Sequence, residues 1–367
     1  MHHSFSVNRG VAVIDTAAIA RNFTALRTLT GGNGRLIAVV KANAYGHGTG
    51  AAVSALLAAG CDFFAVASLA EALQVRLHAP GADVLILGYT PPAEAPLLAE
   101  AGITQTVFSA AYATALSKAA KTRPVSVHMK IDCGMHRLGF ASDRTRELSE
   151  AMALPGLRPW GIFTHFPAAD SDLVGTRVCF SRFLRCKAAL EARGLRLFCH
   201  AAASAAALAL PETLLDGARV GLALYGIPPV PTSLPLCPAM RLQAPVIQLH
   251  SLPAATPVGY GGAFVTRRPT TLGVCPLGYG DGLPRSAEGF TVRLLHEGRA
   301  FFAPIVGHIC MDQTLLDLTD TPAALGDTVV FFDDPRPLAA HTGTIPYEIL
   351  TAISHRVERQ TKGETTW

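Results

Sequence analysis

Residues 36–48 read LIAVVKANAYGHG, an apolar run that ends in Lys41 and continues into a segment with two glycines. The apolar run predicts a buried β-strand, so the ammonium group of Lys41 stands where a buried strand meets a turn. Burial penalises the charged form of a lysine, and we therefore expect a lowered pKa and a larger neutral fraction. Neutral lysines form Schiff bases. The alternative is a lysine that extends its charged end from a strand terminus into solvent.

Composition limits the class of protein. The chain has 367 residues, of which 50% are apolar and 16% charged, and this predicts a soluble globular enzyme with two domains. The formal net charge of +4 is small and the Lys and Arg residues are scattered, which argues against a nucleic-acid-binding surface. Small anionic ligands are compatible with this charge.

The lack of a recognisable targeting signal and the pattern of the cysteines favour a cytoplasmic location. Residues 1–7 have no basic stretch followed by an apolar one, so no signal peptide is expected. The most apolar segment, residues 200–210, predicts a core helix, because it is far shorter than the roughly 20 residues that cross a bilayer. The eight cysteines include no C-x-x-C pair. We expect reduced thiols, no metal site and no membrane partner.

From about residue 10 to residue 230, short apolar runs alternate with helical periodicity, which is typical of βα units and a parallel sheet. So many units in this length predict a (β/α)8 barrel rather than an open sheet. Barrels carry their chemistry at the carboxyl ends of the strands, and Lys41 lies at such an end. The predicted strands are residues 11–14, 36–40, 63–66, 84–87, 125–129 and 161–164.

A proline-rich stretch at residues 228–238 predicts a domain boundary. We assign residues 10–232 to the barrel and residues 233–367 to a mainly β C-terminal domain, with which residues 1–9 can pack. The second domain is predicted to contain strands at residues 246–249, 271–275, 291–295 and 328–332, and a short helix at 347–353.

Local signals mark several helix ends. Asp15 is placed to cap a first helix, and Gly60 follows another helix as a terminating residue. Ser68 and Glu71 have the spacing of a capping box, in which each side chain accepts a backbone N–H at the start of the same helix.

The string VVKANAYGHG, residues 39–48, resembles the cofactor-lysine motif of the alanine racemases, a family of pyridoxal-phosphate enzymes. The resemblance extends over nearly the whole chain, and it implies interconversion of L- and D-alanine with pyridoxal 5′-phosphate on Lys41. Further matching segments are residues 130–139, 164–166, 200–204, 219–226, 259–262, 278–282, 310–312 and 347–348.

The resemblance assigns Arg219 as the hydrogen-bond donor to the pyridine nitrogen of the cofactor. An arginine does not readily give up its proton, so it leaves that nitrogen unprotonated. A neutral ring is a weaker electron sink than the pyridinium formed beside an acidic partner. Proton removal from Cα stays feasible while extended carbanion chemistry is disfavoured, which suits a racemase better than a transaminase or a decarboxylase.

Racemisation removes a proton on one face of a planar intermediate and returns it on the other, so two bases are expected. By resemblance they are Lys41 and Tyr260, the tyrosine coming from the other subunit of a homodimer. An unperturbed tyrosine has a pKa of about 10, so it needs nearby positive charge or hydrogen-bond donors. His165 resembles the histidine that bonds this tyrosine and connects it to Arg219.

Contacts to the substrate also follow from the resemblance. Arg137 is expected to hold the substrate carboxylate in its guanidinium fork, with the backbone amide of Met311 as companion contact. Lys130 resembles a lysine that many family members carry as a carbamate. An unmodified Lys130 paired with a carboxylate is the alternative.

The remaining implied positions bind the cofactor phosphate or line the corridor that leads to the site. The phosphate positions are Tyr45, Ser204, Gly221, Leu222 and Tyr347. The corridor positions are Asp170, Tyr279, Arg285, Ile345 and again Tyr347.

Four positions depart from the family pattern. Ala203 replaces a common asparagine, Gly259 a serine, His308 an arginine and Cys133 a threonine. None removes a group that the mechanism requires. They are expected to delete a polar contact near the phosphate, loosen the loop before the catalytic tyrosine and reduce fixed positive charge in the corridor.

Three other functions are compatible with parts of the pattern. A broad-specificity or serine-preferring amino-acid racemase differs only in pocket shape, which the sequence does not define. A non-enzymatic pyridoxal-phosphate-binding barrel usually lacks a β domain, and Tyr260 argues against it. A decarboxylase of similar architecture has an acidic residue in place of Arg219. We therefore predict a cytoplasmic, homodimeric alanine racemase that binds an amino acid.

Overall fold

The computed structural model describes residues 9–32 and 34–362. The chain forms two compact units, one of Ala17–Cys237 and one that combines Met1–Thr16 with Pro238–Trp367. The expectations for the N-terminus, packing of residues 1–9 and no signal peptide in residues 1–7, fall on a segment of which residues 1–8 lie outside the described residues.

Eight parallel strands form a closed barrel in the first unit, and this confirms the predicted (β/α)8 fold. The pairing order is β2, β3, β4, β5, β6, β8, β9, β10, and β10 pairs with β2 to close the ring, while β7 adds to β6. The first ten strands are β1 (Val11–Ile14), β2 (Arg35–Val39), β3 (Phe63–Val66), β4 (Asp83–Ile86), β5 (Thr104–Val107), β6 (Val125–Asp132), β7 (Phe140–Ala141), β8 (Leu157–Phe163), β9 (Phe198–Ala203) and β10 (Gly217–Val220).

Helices follow most barrel strands and cover the outside of the ring. Every residue of β3 is buried, as expected for a parallel strand with side chains packed on both faces. Full burial of a side chain such as Phe63 contributes about 1.5–3 kcal/mol. The helices up to the end of the barrel unit are α1 (Thr16–Arg27), α2 (Lys41–Tyr45), α3 (Thr49–Ala58), α4 (Leu69–His78), α5 (Ala95–Glu100), α6 (Ala110–Ala119), α7 (Thr145–Met152), α8 (Leu173–Glu191) and α9 (Ser204–Ala209). The second unit contains α10 (Pro335–Thr342) and α11 (Pro346–Ala352).

The second unit is mainly β, as predicted. Its six-stranded sheet has the order β17, β16, β19, β11, β1, β20, and smaller sheets join β12, β15, β18 and β13, β14. The strands are β11 (Met240–Pro245), β12 (Gln248–Leu252), β13 (Pro257–Val258), β14 (Phe264–Val265), β15 (Thr270–Cys275), β16 (Thr291–His296), β17 (Arg299–Pro304), β18 (Thr314–Asp317), β19 (Thr328–Phe332) and β20 (Glu358–Thr361).

Three strand and helix predictions are wrong in part. β1, predicted to begin the barrel, pairs antiparallel with β11 and parallel with β20 in the sheet of the second unit. The predicted core helix at residues 200–210 begins as a strand, because residues up to Ala203 complete β9 between its neighbours β8 and β10. The predicted strand at residues 246–249 is interrupted, since β11 ends at Pro245 and β12 begins at Gln248.

The predicted capping box at the start of α4 is only half formed. The Ser68 side chain accepts the Glu71 N–H at 3.3 Å, as predicted. The Glu71 carboxylate instead accepts the backbone N–H groups of Ala67 and Ala42. The glutamate therefore connects α4 to the segment after β2 rather than closing its own helix.

Within the residues that the structure describes, no helix combines the length and the apolar character needed to span a membrane.

Candidate active site

Lys41 follows β2 and Arg219 lies on the neighbouring strand β10, both at the carboxyl end of the barrel. β10 pairs in parallel with β2, with Arg219 opposite Ile37 and Val220 opposite Ala38. Lys41 comes two residues after Val39, the last residue of β2. Since barrel chemistry is built at the carboxyl strand ends, the closing pair of strands defines a candidate site.

The Lys41 amine is partly buried, and this lowers its pKa from the ordinary value. Burial is the largest cause, the positive charge of Arg137 adds to it, the negative charge of Glu71 opposes it, and Arg219 adds a smaller lowering effect. A lowered lysine pKa increases the neutral, nucleophilic fraction. The direction agrees with the expectation from the sequence.

The backbone after Lys41 makes a left-handed turn. Ala42, Asn43, Ala44 and Tyr45 all have positive φ, between 51° and 54°. Each non-glycine residue in this conformation costs roughly 1–2 kcal/mol, so the turn persists only because surrounding groups hold it. One such group is the Asn43 side chain, whose Oδ1 accepts the Thr49 N–H at 2.9 Å.

The two terminal nitrogens of Arg219 donate hydrogen bonds to five acceptors in the barrel. One terminal nitrogen donates to His200 Nδ1 at 2.7 Å and to the His200 carbonyl at 3.2 Å. The other donates to the carbonyls of Thr164 (2.7 Å) and Ala201 (2.9 Å) and to His165 Nδ1 (3.4 Å). Burial lowers the Arg219 pKa to about 9, which keeps the group protonated near neutral pH. The Nε–H has no acceptor among the described residues, so it is the donor left for a ligand.

Three histidines form the buried surroundings of Arg219. Burial and the Arg219 charge lower the pKa of His165 to about 3 and that of His200 well below its ordinary value. His200 Nε2 lies 2.8 Å from Nδ1 of His128, whose pKa is also lowered to about 3, mainly by burial. Because Arg219 donates to Nδ1 of His165 and His200, both neutral rings carry their proton on Nε2.

A second group of side chains forms a cradle for an anion. Ser204 is the first residue of α9, and its hydroxyl accepts the Gly221 N–H at 3.0 Å. The Leu222 N–H has no acceptor within the described chain. A Cβ atom at Gly221 would lie 2.4 Å from the Tyr45 hydroxyl oxygen. Only glycine therefore lets the tyrosine approach this turn, and the hydroxyl and amide groups present the donors that phosphate binding uses.

Lys130 lies at the end of β6 with its amine buried. Its Nζ has no hydrogen-bond partner among the described residues and is 5.0 Å from the centre of the Phe163 ring. Burial, with the charges of Arg219 and Arg137, lowers its pKa to about 7. The alternative prediction of a carboxylate partner is not seen for the described residues.

Arg137 lies in the loop after β6 and is exposed. Its charge acts on Lys41, Lys130 and His165, so the guanidinium group is near the other barrel residues of the site. It lines a cavity of about 410 Å³ together with Phe108, Asp132, His136, Leu138 and Gly139.

Tyr260 and Met311 belong to the second unit. Tyr260 begins a short 3₁₀ helix (Tyr260–Gly262) and is 70% exposed. The Met311 carbonyl accepts the Gly280 N–H at 2.9 Å, and the Met311 N–H has no acceptor in the part of the chain described. Both groups are thus available to a ligand or to another protein surface.

The predicted corridor residues are divided between the units. Asp170 is exposed in the barrel unit, whereas Tyr279, Arg285, Ile345 and Tyr347 lie in the second unit. The Tyr279 N–H donates to the Cys310 carbonyl at 3.0 Å, so the loops that carry Tyr279 and Met311 are joined by backbone hydrogen bonds.

The four departures from the family pattern have local structural outcomes. Ala203 precedes α9 without a side-chain cap, and His308 pairs with Glu288 at 2.9 Å. Cys133 is buried, which raises its pKa to about 11. Gly259 has φ 73° and ψ −171°, a conformation that is essentially restricted to glycine. Glycine at this position therefore suits the shape of the loop before Tyr260.

Sequence reasoning missed three residues of this site, Glu71, His128 and His200. His128 follows the run Val125–Val127 in β6 and His200 stands among apolar residues in β9, and a polar residue in a strand predicted to be buried is the signal that could have found them. Across the described residues, no group of three or more His, Cys, Asp or Glu side chains could hold a metal ion.

An eight-stranded barrel with a lysine of lowered pKa and a buried arginine at its carboxyl end, together with a separate β-rich unit, defines the class as a barrel enzyme with an added β domain. The sequence pattern described as "Alanine racemase, N-terminal domain" matches residues 14–229, and that described as "Alanine racemase, C-terminal domain" matches residues 239–361. The chain belongs to the alanine racemase family.

Individual relatives agree with this assignment. A protein of Desulfosudis oleivorans named "Alanine racemase" is 40% identical, with 95% of each chain covered. One of Desulfovibrio desulfuricans with the same name is 38% identical, covering 95% of this chain and 96% of the relative. The solved structure of the alanine racemase of Streptomyces coelicolor A3(2) has a TM-score of 0.90 at 33% identity, covering 98% of this chain and 99% of the other.

Proposed function

We propose that this chain interconverts L- and D-alanine, with pyridoxal 5′-phosphate on Lys41 and with Lys41 and Tyr260 as bases on opposite faces. The observation that carries the proposal is the β2–β10 pair. It sets an amine with a lowered pKa beside a buried guanidinium group whose Nε–H has no acceptor in the described structure.

The residues of the barrel fit the cofactor at three points. Lys41 supplies an amine for its aldehyde, and the Arg219 Nε–H supplies a donor for its ring nitrogen. Tyr45, Ser204 and Leu222 surround the turn at Gly221, where a side chain would clash, and they suit its phosphate. Tyr347 of the second unit is proposed as a further phosphate contact. When bound, the cofactor withdraws electrons from the substrate Cα and so acidifies its hydrogen.

Arg219 restricts the chemistry to proton transfer. Its pKa of about 9 keeps it a donor near neutral pH, so it does not protonate the ring nitrogen. Electron withdrawal is then limited, and this favours return of the proton to Cα. Arg137, with the Met311 amide, is proposed to hold the substrate carboxylate and so to present Cα to the two bases.

His165 is proposed to activate Tyr260. Arg219 donates to His165 Nδ1, so the neutral ring carries its proton on Nε2. An Nε2–H aimed at the phenol oxygen would stabilise the phenolate and lower the tyrosine pKa. The base on one face is then an amine, and the base on the other face is a tyrosine with a donor beside it.

Tyr260 and Met311 are proposed to act on the site of a second copy of the chain, in a cytoplasmic homodimer. Their exposure, 70% and 53%, supports this arrangement, because both groups can reach a partner. The cytoplasmic location is supported by eight cysteines that are all free thiols. Asp170, Tyr279, Arg285 and Ile345 are proposed to line the corridor.

Solvent exchange tests the proposed function. The cofactor-loaded protein in D₂O should exchange the Cα hydrogen of both L-alanine and D-alanine and interconvert them, as followed by proton NMR and chiral chromatography. Serine in parallel reactions measures substrate breadth. A cofactor-loaded protein that catalyses neither exchange nor interconversion of alanine would contradict the proposal.

Lys130 is proposed to react with carbon dioxide to form a carbamate beside Arg137. At a pKa of about 7, roughly half of its amines are neutral at pH 7 and a larger share at pH 8, and only the neutral amine reacts. We expect a carbamate carbonyl signal in the ¹³C NMR spectrum with labelled bicarbonate, and this signal should weaken as the pH falls below 7.

Two variants test whether the carbamate signal comes from Lys130. Lys130→Met should remove it, whereas Lys187→Ala should leave it, because Lys187 is paired with Glu191 at 2.6 Å and has a raised pKa. A signal that survives in Lys130→Met would place the modification elsewhere.

A further inference from the structure

The Glu71 carboxylate joins the segments that follow two adjacent barrel strands. Its Oε1 accepts the Ala42 N–H at 2.7 Å, and its Oε2 accepts the Ala67 N–H at 2.8 Å. Ala42 comes two peptides after the last ladder bond of this region, in which Val40 N–H donates to the Ala65 carbonyl at 2.9 Å. The carboxylate therefore takes the place of the next rung where the two chains diverge.

The bonded Ala42 N–H belongs to the peptide that contains the Lys41 carbonyl. Fixing this peptide fixes the backbone on the carboxyl side of Lys41 and, with it, the direction in which the lysine side chain leaves the chain. The turn that begins here is left-handed at four successive non-glycine residues, so its shape depends on external bonds. Asn43 holds the far end through Thr49, and Glu71 holds the near end.

We propose that Glu71 is a positioning residue for Lys41, since its carboxylate holds the lysine's peptide and places a negative charge close to the lysine amine. This rests on the proposed role of Lys41 as the cofactor-bearing lysine. Burial and the charges of Arg137 and Arg219 lower the pKa of Lys41, and Glu71 is the group that raises it. The same glutamate thus affects both the direction in which the Lys41 side chain points and the fraction of its amine that is protonated.

Two substitutions separate the charge from the hydrogen bonds. Glu71→Gln keeps the size but removes the charge, and its amide NH₂ would face one of the two N–H donors. Glu71→Asp keeps the charge but is too short to reach both N–H groups. Glu147→Gln is the matched control, because Glu147 also lies in the first turn of a barrel helix and pairs there with Arg144 at 3.6 Å.

The first measurement is the rate at which the cofactor-free full chain attaches pyridoxal phosphate to Lys41, trapped by borohydride, as a function of pH. Glu71→Gln should lower the plateau rate at least tenfold and move the midpoint to lower pH. Glu71→Asp should lower the plateau with the midpoint near that of the unsubstituted chain. Glu147→Gln should change neither quantity.

The second measurement does not depend on the cofactor. Acetylation of Lys41 by acetic anhydride, read by peptide mass spectrometry across pH, reports the neutral fraction of its amine. The same shift to lower pH in Glu71→Gln supports the proposal even if the unsubstituted chain attaches no cofactor to Lys41, an outcome that would refute the proposed function alone.

Thermal melting identifies variants that fail to fold. If Glu71→Gln does not melt cooperatively, the test rests on Glu71→Asp. A plateau rate of cofactor attachment in Glu71→Asp equal to that of the unsubstituted chain then overturns the proposal. A folded Glu71→Gln with unchanged plateau and unchanged midpoint in both measurements also overturns it.

Discussion

Lys41→Ala is expected to abolish both the covalent attachment of pyridoxal phosphate and racemisation. The variant loses the amine that bonds the cofactor and one of the two proton carriers, so turnover should fall by roughly 10⁴-fold or more. The amine at this position has a pKa lowered mainly by burial, which is the property that the attachment needs.

Borohydride reduction followed by peptide mapping measures the attachment, and an optical assay of alanine measures the turnover. Lys118→Ala is the control, since Lys118 lies exposed on α6. The unsubstituted chain should carry the label on the peptide that contains Lys41. A label on any other lysine would refute the assignment.

Tyr260→Phe is expected to lose racemisation while keeping proton exchange with one enantiomer. Removing a general base typically costs about 10²–10⁴-fold in rate, and here it removes the base of one face only. Lys41 should still remove and return the proton on its own face. In D₂O, one alanine enantiomer should therefore exchange its Cα hydrogen at a near-normal rate, and the other should exchange slowly.

Tyr89→Phe serves as the control, because Tyr89 is 56% exposed in the barrel unit and has no assigned role. Equal loss of exchange for both enantiomers in Tyr260→Phe would contradict a face-specific base. Wild-type racemisation in this variant would exclude Tyr260 from proton transfer.

Mixing the two inactive variants extends this prediction to the dimer. In a hybrid of Lys41→Ala and Tyr260→Phe subunits, one of the two sites receives an intact lysine from one chain and an intact tyrosine from the other. Activity should return after unfolding and refolding the mixture. Its absence in a demonstrated hybrid dimer would show that Tyr260 does not act across subunits.

The fold was predictable where periodicity alone identifies an element. The strands β2, β3, β4, β6 and β8 are of this kind, whereas no strand was predicted at β5 or β10. The β16–β17 hairpin turns at Glu297 and Gly298, both with positive φ. The location of β1 was not predictable, because its apolar run is locally the same as that of a barrel strand. Alanine favours helices, yet residues up to Ala203 form β9 because two neighbouring strands impose extended backbone on them.

Candidate site residues could be named from motifs, but their surroundings depend on which strands are adjacent. The hydrogen-bonded series Arg219, His200 and His128 connects residues of β10, β9 and β6, so it exists only in the folded barrel. Glu71 has the spacing of a capping box, but its carboxylate accepts the N–H groups of Ala67 and Ala42 instead of the Ser68 N–H. Local sequence spacing predicts the position of a residue in its helix or strand, whereas the tertiary structure determines its hydrogen-bond partner.

Ring closure through β2 and β10 also determines when the proposed cofactor site can form. These strands lie at opposite ends of the barrel sequence, and pairing them costs the loop-closure entropy of everything between. During translation, a nascent chain cannot assemble the site until β10 has left the ribosome. A ligand that binds only the closed ring, as proposed for pyridoxal phosphate, would stabilise the folded chain by RT ln(1 + [L]/Kd). Bound in this way, the proposed cofactor would act on the folded fraction of the chain as well as on its chemistry.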